Sequence, residues 1–235
     1  MTIERVLQIR DLEGWYGESH VLHGIDFDAD RGEVVTLLGR NGAGKSTTLR
    51  AIIGILARRT GSIHVHGREI IALPSREIGR IGVGYVPEER GIFSTLTVEE
   101  NLLLPPIVRP GGFSLAQIYE LFPNLRLRLA TQGSRISGGE QQMLAIARIM
   151  RTGADCFLLD EPTEGLAPVI VAQIGRTIET LRQQGCTVVL VEQNLKFAMK
   201  IADRHYVIEQ GRVVDHFERS QAAHQLAKLH TYLGL

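Results

Sequence analysis

The sequence predicts an α/β fold in which helices cover both faces of a mostly parallel β-sheet. Short apolar runs of strand length alternate with helical segments, and this alternation occupies residues 1–87 and again residues 136–235. The segment between them, residues 88–135, holds four of the eight prolines and shows little strand pattern. We therefore expect a single domain over residues 1–235, with residues 88–135 inserted into the α/β core as a small helical subdomain.

Each element is predicted from its apolar period and from the turn residues beside it. Continuous apolar runs indicate buried strands at 34–38, 83–86, 157–160 and 187–191. Alternating runs indicate further strands at 6–9, 25–28 and 63–65, and residues 206–214 are typical of a hairpin turning at Gln210-Gly211. Helices are predicted at 46–56, 114–122, 140–151, 169–184, 194–202 and 221–233, and a capping box at 97–100 indicates one more.

Composition excludes several classes of protein. Lysine plus arginine and aspartate plus glutamate both number 26, so the chain lacks the basic excess of a general nucleic-acid binder. Cys156 and Cys186 each begin an apolar run and predict buried thiols rather than a disulfide framework. No signal peptide and no apolar run of about 20 residues is visible. We therefore expect a soluble cytoplasmic chain that meets a membrane only through partners.

A glycine-rich loop stands between the predicted strand 34–38 and the following helix. It matches G-x-x-x-x-G-K-[ST] in full, and this pattern lets backbone N–H groups and a helix N-terminus surround phosphate oxygens. Lys45 is expected to reach the β- and γ-phosphates, and Ser46 to bind Mg²⁺. The motif indicates a nucleoside triphosphate without choosing between an ATPase, a GTPase and a kinase. The candidate nucleotide ligands here are Gly39, Arg40, Asn41, Gly42, Ala43, Gly44, Lys45, Ser46 and Thr47.

Two acids end the apolar strand at 157–160. In an open parallel sheet the carboxyl ends of the strands meet beside the ligand, which would bring these acids to the phosphates. Asp160 is then expected to hold Mg²⁺, directly or through water, and Glu161 to polarise the attacking water. Without the glycine-rich loop, the same pair could equally cap the next turn.

A second helix start carries glycines and a serine, at Ser137-Gly138-Gly139-Glu140. A helix N-terminus of this kind is a ready anion site. Ser137 and Glu140 can also form an ordinary capping box, but that box does not require the Gly-Gly pair.

With these three motifs in this order, the chain resembles the ATP-binding cassette (ABC) family over nearly its whole length. The resemblance implies a RecA-like core, an antiparallel β-subdomain and a helical subdomain. It also implies a head-to-tail dimer in which ATP lies between one subunit's phosphate loop and the other's Ser137, Gly138 and Gly139. Tyr16 stands where the family stacks an aromatic ring on adenine, although Trp15 beside it could take that place.

The sequence departs from the common family pattern at three positions. Glu88 replaces a glutamine and is expected to face Mg²⁺ or its water, and Ala167 replaces an aspartate. Gln193 replaces the switch histidine; its amide can hydrogen-bond the γ-phosphate but cannot carry a proton, so Glu161 becomes the better base. The catalytic set is thus Glu161, Lys45 and Gln193.

These departures resemble one branch of the family, the ATPase subunits of branched-chain amino-acid-type importers, with relatives that carry urea, amides or aromatic acids. The branch implies ATP and Mg²⁺ as cofactors and a second, different ATPase as the partner, a homodimer being the other option. It further implies two transmembrane permeases, a periplasmic binding protein acting indirectly, and a peripheral position on the cytoplasmic face of the inner membrane.

Three other functions account for the sequence less well. An ABC ATPase that handles nucleic acid or the ribosome usually has insertions, tandem cassettes or basic linkers, and none is visible. A kinase or GTPase leaves the Ser137-Gly138-Gly139 start unexplained. A binding module that has lost hydrolysis gains some support from Gln193 and Ala167, but the intact Lys45, Asp160 and Glu161 argue against it.

Overall fold

The computed structural model describes residues 4–233 and contains two β-sheets. The strands are β1 (Arg5–Tyr16), β2 (Ser19–Asp30), β3 (Val34–Leu38), β4 (Arg58–Val65), β5 (Arg68–Glu69), β6 (Val83–Val86), β7 (Cys156–Asp160), β8 (Thr187–Val191), β9 (Arg204–Glu209) and β10 (Arg212–Glu218). The helices are α1 (Lys45–Ile52), α2 (Ser75–Ile81), α3 (Val98–Leu103), α4 (Leu115–Leu121), α5 (Pro123–Arg126), α6 (Gly138–Arg151), α7 (Pro168–Gln183), α8 (Leu195–Ile201) and α9 (Ala222–Leu233).

The larger sheet has six strands in the order β10-β9-β3-β8-β7-β6. All neighbours in it pair in parallel except β10, which turns back on β9 through the predicted hairpin. Every residue of β3, β7 and β8 is buried, which explains why these strands are mainly apolar and do not alternate with polar residues. The predicted α/β fold is confirmed, and the parallel strands end together at one edge.

The smaller sheet is antiparallel, in the order β2-β1-β4-β5. Its apolar face packs on the larger sheet and on α1 in one continuous core, which includes Leu12, Leu22, Ile63, Leu37 and Leu49. Tyr16 is the last residue of β1 in this sheet, and its side chain approaches Arg50 of α1.

Helices α3 to α5 occupy the proline-containing stretch between β6 and α6. Both α3 and α4 begin with complete capping boxes, at Thr97 and Ser114. Their buried residues share a second core with α6, α7 and strands β3, β6, β7 and β8, in which Leu102, Ile118 and Leu144 are fully buried. This packing supports the proposed helical subdomain at residues 88–135, whose limits remain a proposal.

The structure corrects some element limits. Helix α1 ends at Ile52 rather than near residue 56, because Gly54 adopts a left-handed φ of 79° and turns the chain towards β4. The sequence did not predict α2 or the two-residue strand β5. Within residues 4–233, no helix has the length and apolarity needed to cross a membrane.

Candidate nucleotide site

The glycine-rich loop joins β3 to α1 and closes around its own lysine. Gly39 and Gly44 have left-handed φ values of 156° and 109°, and a Cβ on Gly39 would lie 2.2 Å from the carbonyl oxygen of Ile208. Lys45 Nζ donates to the carbonyl oxygens of Gly39 at 2.9 Å and Arg40 at 3.1 Å. The side chain is only 4% exposed, so its charge lies inside the concave face of the loop.

Asp160 ends β7 directly beside Ser46. The Ser46 hydroxyl donates to Asp160 Oδ1 at 2.8 Å, and the Tyr85 hydroxyl donates to Oδ2 at 3.1 Å. Burial raises the pKa of Asp160, and these two hydrogen bonds oppose that rise. The two oxygens predicted to hold a metal are therefore brought together from residues far apart in the sequence.

These residues fit a Mg²⁺ ion. Mg²⁺ is usually held by one or two protein oxygens together with phosphates and waters, and the Ser46 hydroxyl and Asp160 carboxylate supply such a pair. Within residues 4–233, no three histidine, cysteine, aspartate or glutamate side chains form a metal-binding cluster. An ion here would thus depend on oxygens of the bound nucleotide.

Glu161 is held between Gln193 and the loop lysine. Gln193 Nε2 donates to Glu161 Oε2 at 2.5 Å, and Lys45 Nζ lies 3.9 Å from Oε1. The backbone of Glu161 has an unusual left-handed φ of 45°, which turns its side chain out of the strand direction. Burial raises the pKa of this carboxyl, as do Glu164 and Glu88, while Gln193 and Lys45 lower it.

A cleft of about 330 Å³ lies over these groups. Glu88 and Glu161 line it from just beyond the carboxyl ends of the neighbouring parallel strands β6 and β7. Burial raises the pKa of Glu88, as do the neighbouring acids Glu164 and Asp160. The acidic lining suits a ligand that arrives with a cation. The full lining is Val21, Asn41, Gly42, Gly44, Lys45, Ser46, Thr47, Glu88, Glu161, Glu164 and Gln193.

The two aromatic candidates for adenine differ in their surroundings. The Trp15 ring stacks on His20, with centroids 4.4 Å apart, and the Arg58 guanidinium lies 4.8 Å above it. Tyr16 keeps 45% of its surface exposed, and its hydroxyl approaches the Arg50 guanidinium and raises the pKa of that group. Tyr16 is therefore the available ring, and stacking on adenine remains a prediction.

The other predicted ligands lie apart from this cleft. The Ser137 hydroxyl accepts a hydrogen bond from the Glu140 amide at 3.3 Å, and the Glu140 carboxylate accepts one from the Ser137 amide at 2.8 Å, so the capping box is present. A Cβ on Gly139 would lie 2.8 Å from the Ile170 side chain, which gives this glycine a packing reason as well. Ser137, Gly138 and Gly139 do not line the cleft that holds Lys45.

Sequence reasoning missed four residues at the site. The Tyr85 hydroxyl donates to Asp160, and the Arg50 guanidinium lies beside Tyr16. Val21 and Glu164 line the cleft. Only Glu164 carried a local signal, since it follows Glu161 by three residues. The others come from separate elements, and only the tertiary fold brings them to the site.

Comparison with known proteins agrees with this geometry. A family profile described as ABC transporter matches residues 22–164. The chain is 45% identical over 220 residues to the high-affinity branched-chain amino acid transport ATP-binding protein BraG of Pseudomonas aeruginosa, covering 90% of this chain and 92% of that one. It is 33% identical to the lipopolysaccharide export system ATP-binding protein LptB of Escherichia coli K12, over 97% of each.

Solved structures give the same result. One described as the ATP-binding subunit of an ABC transporter superposes with a TM-score of 0.82 at 30% identity, covering 98% of this chain and all of that one. A dimeric bacterial ABC transporter cassette superposes at 0.79 with 25% identity, covering 91% of this chain and 98% of the other. Motifs, fold, profile and relatives agree, and the chain therefore belongs to the ABC transporter family as one of its ATPases.

Proposed function

We propose that this protein is the ATP-hydrolysing subunit of an importer for branched-chain amino acids or related small solutes such as urea, amides or aromatic acids. The observation that carries the proposal is the 45% identity to BraG over nine-tenths of the chain. The archaeal LivF from Archaeoglobus fulgidus, a probable branched-chain amino acid transport protein, is 35% identical over 88% of the chain. The exporter subunit LptB is more distant than BraG, at 33%.

The site geometry suggests a role for each group. Lys45, already inside the loop, would exchange its two carbonyl contacts for phosphate oxygens. Ser46 and Asp160 would hold Mg²⁺, which when bound neutralises phosphate charge. Glu161 would orient and deprotonate the attacking water, helped by a pKa above that of an ordinary glutamate. Gln193 would hold Glu161 and donate to the γ-phosphate, and Glu88 would face the metal or its water.

Assembly follows from where the motifs lie. The chain has the phosphate cleft on one part of its surface and the Ser137–Gly139 helix start on another, so completing an ATP site with both needs a second subunit. We propose a different ABC ATPase as that partner, with a homodimer as the other option. Two permeases would anchor the pair at the cytoplasmic face of the inner membrane, a periplasmic binding protein would deliver the solute, and no nucleic acid would take part.

Identification of the natural complex tests this proposal. The chain is tagged at its genomic locus, the membranes are solubilised gently, and co-purifying proteins are identified by mass spectrometry beside a tag-only control. Recovery of a second ABC ATPase and two multi-spanning proteins supports the importer. Recovery of lipopolysaccharide-export components, ribosomes or DNA-repair factors would overturn it and leave the ATPase assignment standing.

Solute uptake completes the test. In cells that lack the gene, radiolabelled leucine, urea and phenylalanine are offered one at a time, and the gene is restored as wild type or as Glu161→Gln. We expect one of these solutes to enter only with the wild-type gene. Equal uptake with both versions would contradict a role for ATP hydrolysis by this subunit.

A further inference from the structure

Glu192 is a buried carboxylate just outside the nucleotide cleft. It follows the last residue of β8, is only 2% exposed, and does not line the cleft itself. Burying a glutamate is costly unless donors surround it, so its presence here requires a reason.

Three donors surround this carboxylate, and they come from two loops. The Thr163 hydroxyl donates to Glu192 Oε1 at 2.6 Å. The backbone amides of Gln193 and Asn194 donate to Oε2 at 3.1 and 3.0 Å. Burial raises the pKa of Glu192, whereas these donors lower it. An ionised carboxylate can only accept hydrogen bonds, so three donors match the ionised form of Glu192.

Both loops hold Glu161. On one side, the side chain of Gln193 donates to Glu161 Oε2. On the other, Glu164 N donates to the Glu161 carbonyl at 3.2 Å, and Thr163 lies between these two acids in the sequence. Glu192 therefore links the two segments that set the position of Glu161, although it lies 29 residues after Thr163 in the sequence.

We propose that Glu192 and Thr163 form a positioning pair for ATP hydrolysis, which fixes Gln193 and the 162–167 loop relative to Glu161. The inference rests on the proposed roles of Glu161 and Gln193. Glu192 would not touch the nucleotide. Its effect would pass through the Thr163 hydroxyl bond and through the two backbone amides that orient the Gln193 side chain.

Substitutions at Thr163 test the pair most cleanly. Thr163→Val keeps the shape and removes the hydroxyl, while Thr163→Ser keeps the hydroxyl. Thr177→Val is the matched control, because Thr177 is also buried and its hydroxyl donates to the Gln173 carbonyl oxygen within α7. Each variant of the full chain is purified with its natural partners, and kcat, the KM for ATP and the thermal midpoint are measured.

We expect Thr163→Val to lower kcat about tenfold while the KM for ATP stays within about twofold. Thr163→Ser should restore kcat to within about threefold of the wild type, and Thr177→Val should leave it unchanged. Wild-type kcat in Thr163→Val would overturn the inference, as would an equal loss in Thr177→Val, which would show a general packing effect. A separate Glu161→Gln measurement keeps the two proposals distinguishable, because full turnover in that variant would show that Glu161 is not the base.

Discussion

The two glycine-rich helix starts of this protein differ in what surrounds them. At Lys45, the start of α1, three strand ends and the loop bring a cation, a hydroxyl and several carboxylates to one cleft. At Ser137, the start of α6, the hydroxyl and the Glu140 carboxylate bond to each other, and neither lines that cleft. Under the proposed function, the first is a nearly complete nucleotide site within one chain, and the second offers backbone donors to a nucleotide held by another subunit. The difference supports the proposal that a second subunit completes the ATP site.

The largest expected effect comes from a substitution of Glu161 in the first site. Glu161→Gln preserves shape and removes the base, so we expect kcat to fall about 10²–10⁴-fold while ATP binding persists. Glu164→Gln is the matched control, since Glu164 lines the same cleft three residues later. It should change kcat by less than about threefold, measured as phosphate release by the complex. Equal losses in both variants would mean that cleft charge matters rather than a specific base.

The second helix start is tested by a pair of serines. Ser137 and Ser114 are both exposed N-caps, with capping boxes of the same 3.3 Å geometry. Either change to alanine should cost about 1 kcal/mol of unfolding free energy, measured by urea denaturation. Only Ser137→Ala should also lower turnover, by about tenfold, because its helix start would meet the partner's nucleotide. Normal turnover in Ser137→Ala would break the comparison.

At the adenine end of the first site we expect a smaller effect. Tyr16→Ala should raise the KM for ATP about fivefold or more, the lower end of what a base–aromatic stack contributes. Tyr16→Phe should retain wild-type KM. Trp15→Ala is the control, because its ring is already engaged by His20 and Arg58. A larger rise in KM for Trp15→Ala than for Tyr16→Ala would reverse the assignment of the stacking residue.

The smallest expected effect is a shift in pH dependence. The negative charge of Glu88 helps to raise the pKa of Glu161, so Glu88→Gln should lower that pKa. Since protonation of Glu161 removes the base, the fall in kcat on the acid side should then begin at a lower pH. At neutral pH, kcat should stay within about threefold of the wild type.

Glu89→Gln is the control for this shift. Glu89 is the next residue after Glu88 but is not among the largest influences on the pKa of Glu161. Its pH–kcat profile should match that of the wild type. An unchanged acid limb of the profile in Glu88→Gln would show that the charge of Glu88 does not affect the pKa of Glu161 in the working enzyme.

Local sequence patterns predicted many of the strands and helices. The buried strands β3, β7 and β8 were predicted from their mainly apolar runs, and α3 from a capping box that does form both hydrogen bonds. Helix α1 was predicted too long, because the left-handed turn at Gly54 was not recognised. Helix α2 was missed because only Ile78 of its residues is buried, so it lacks an apolar stripe.

The sequence by itself determined the chemistry: a phosphate loop, two acids after a strand, a second helix start, and their order. These signals are local, since each depends on residues within about one turn of a helix or one strand. The tertiary structure alone decided which distant groups meet them. Tyr85 donates to Asp160 across 75 residues of sequence, and Thr163 donates to Glu192 across 29. These contacts form because neighbouring strands of a parallel sheet are joined by long crossover connections, so strand ends that are far apart in sequence lie side by side. No periodicity in the sequence records those distances.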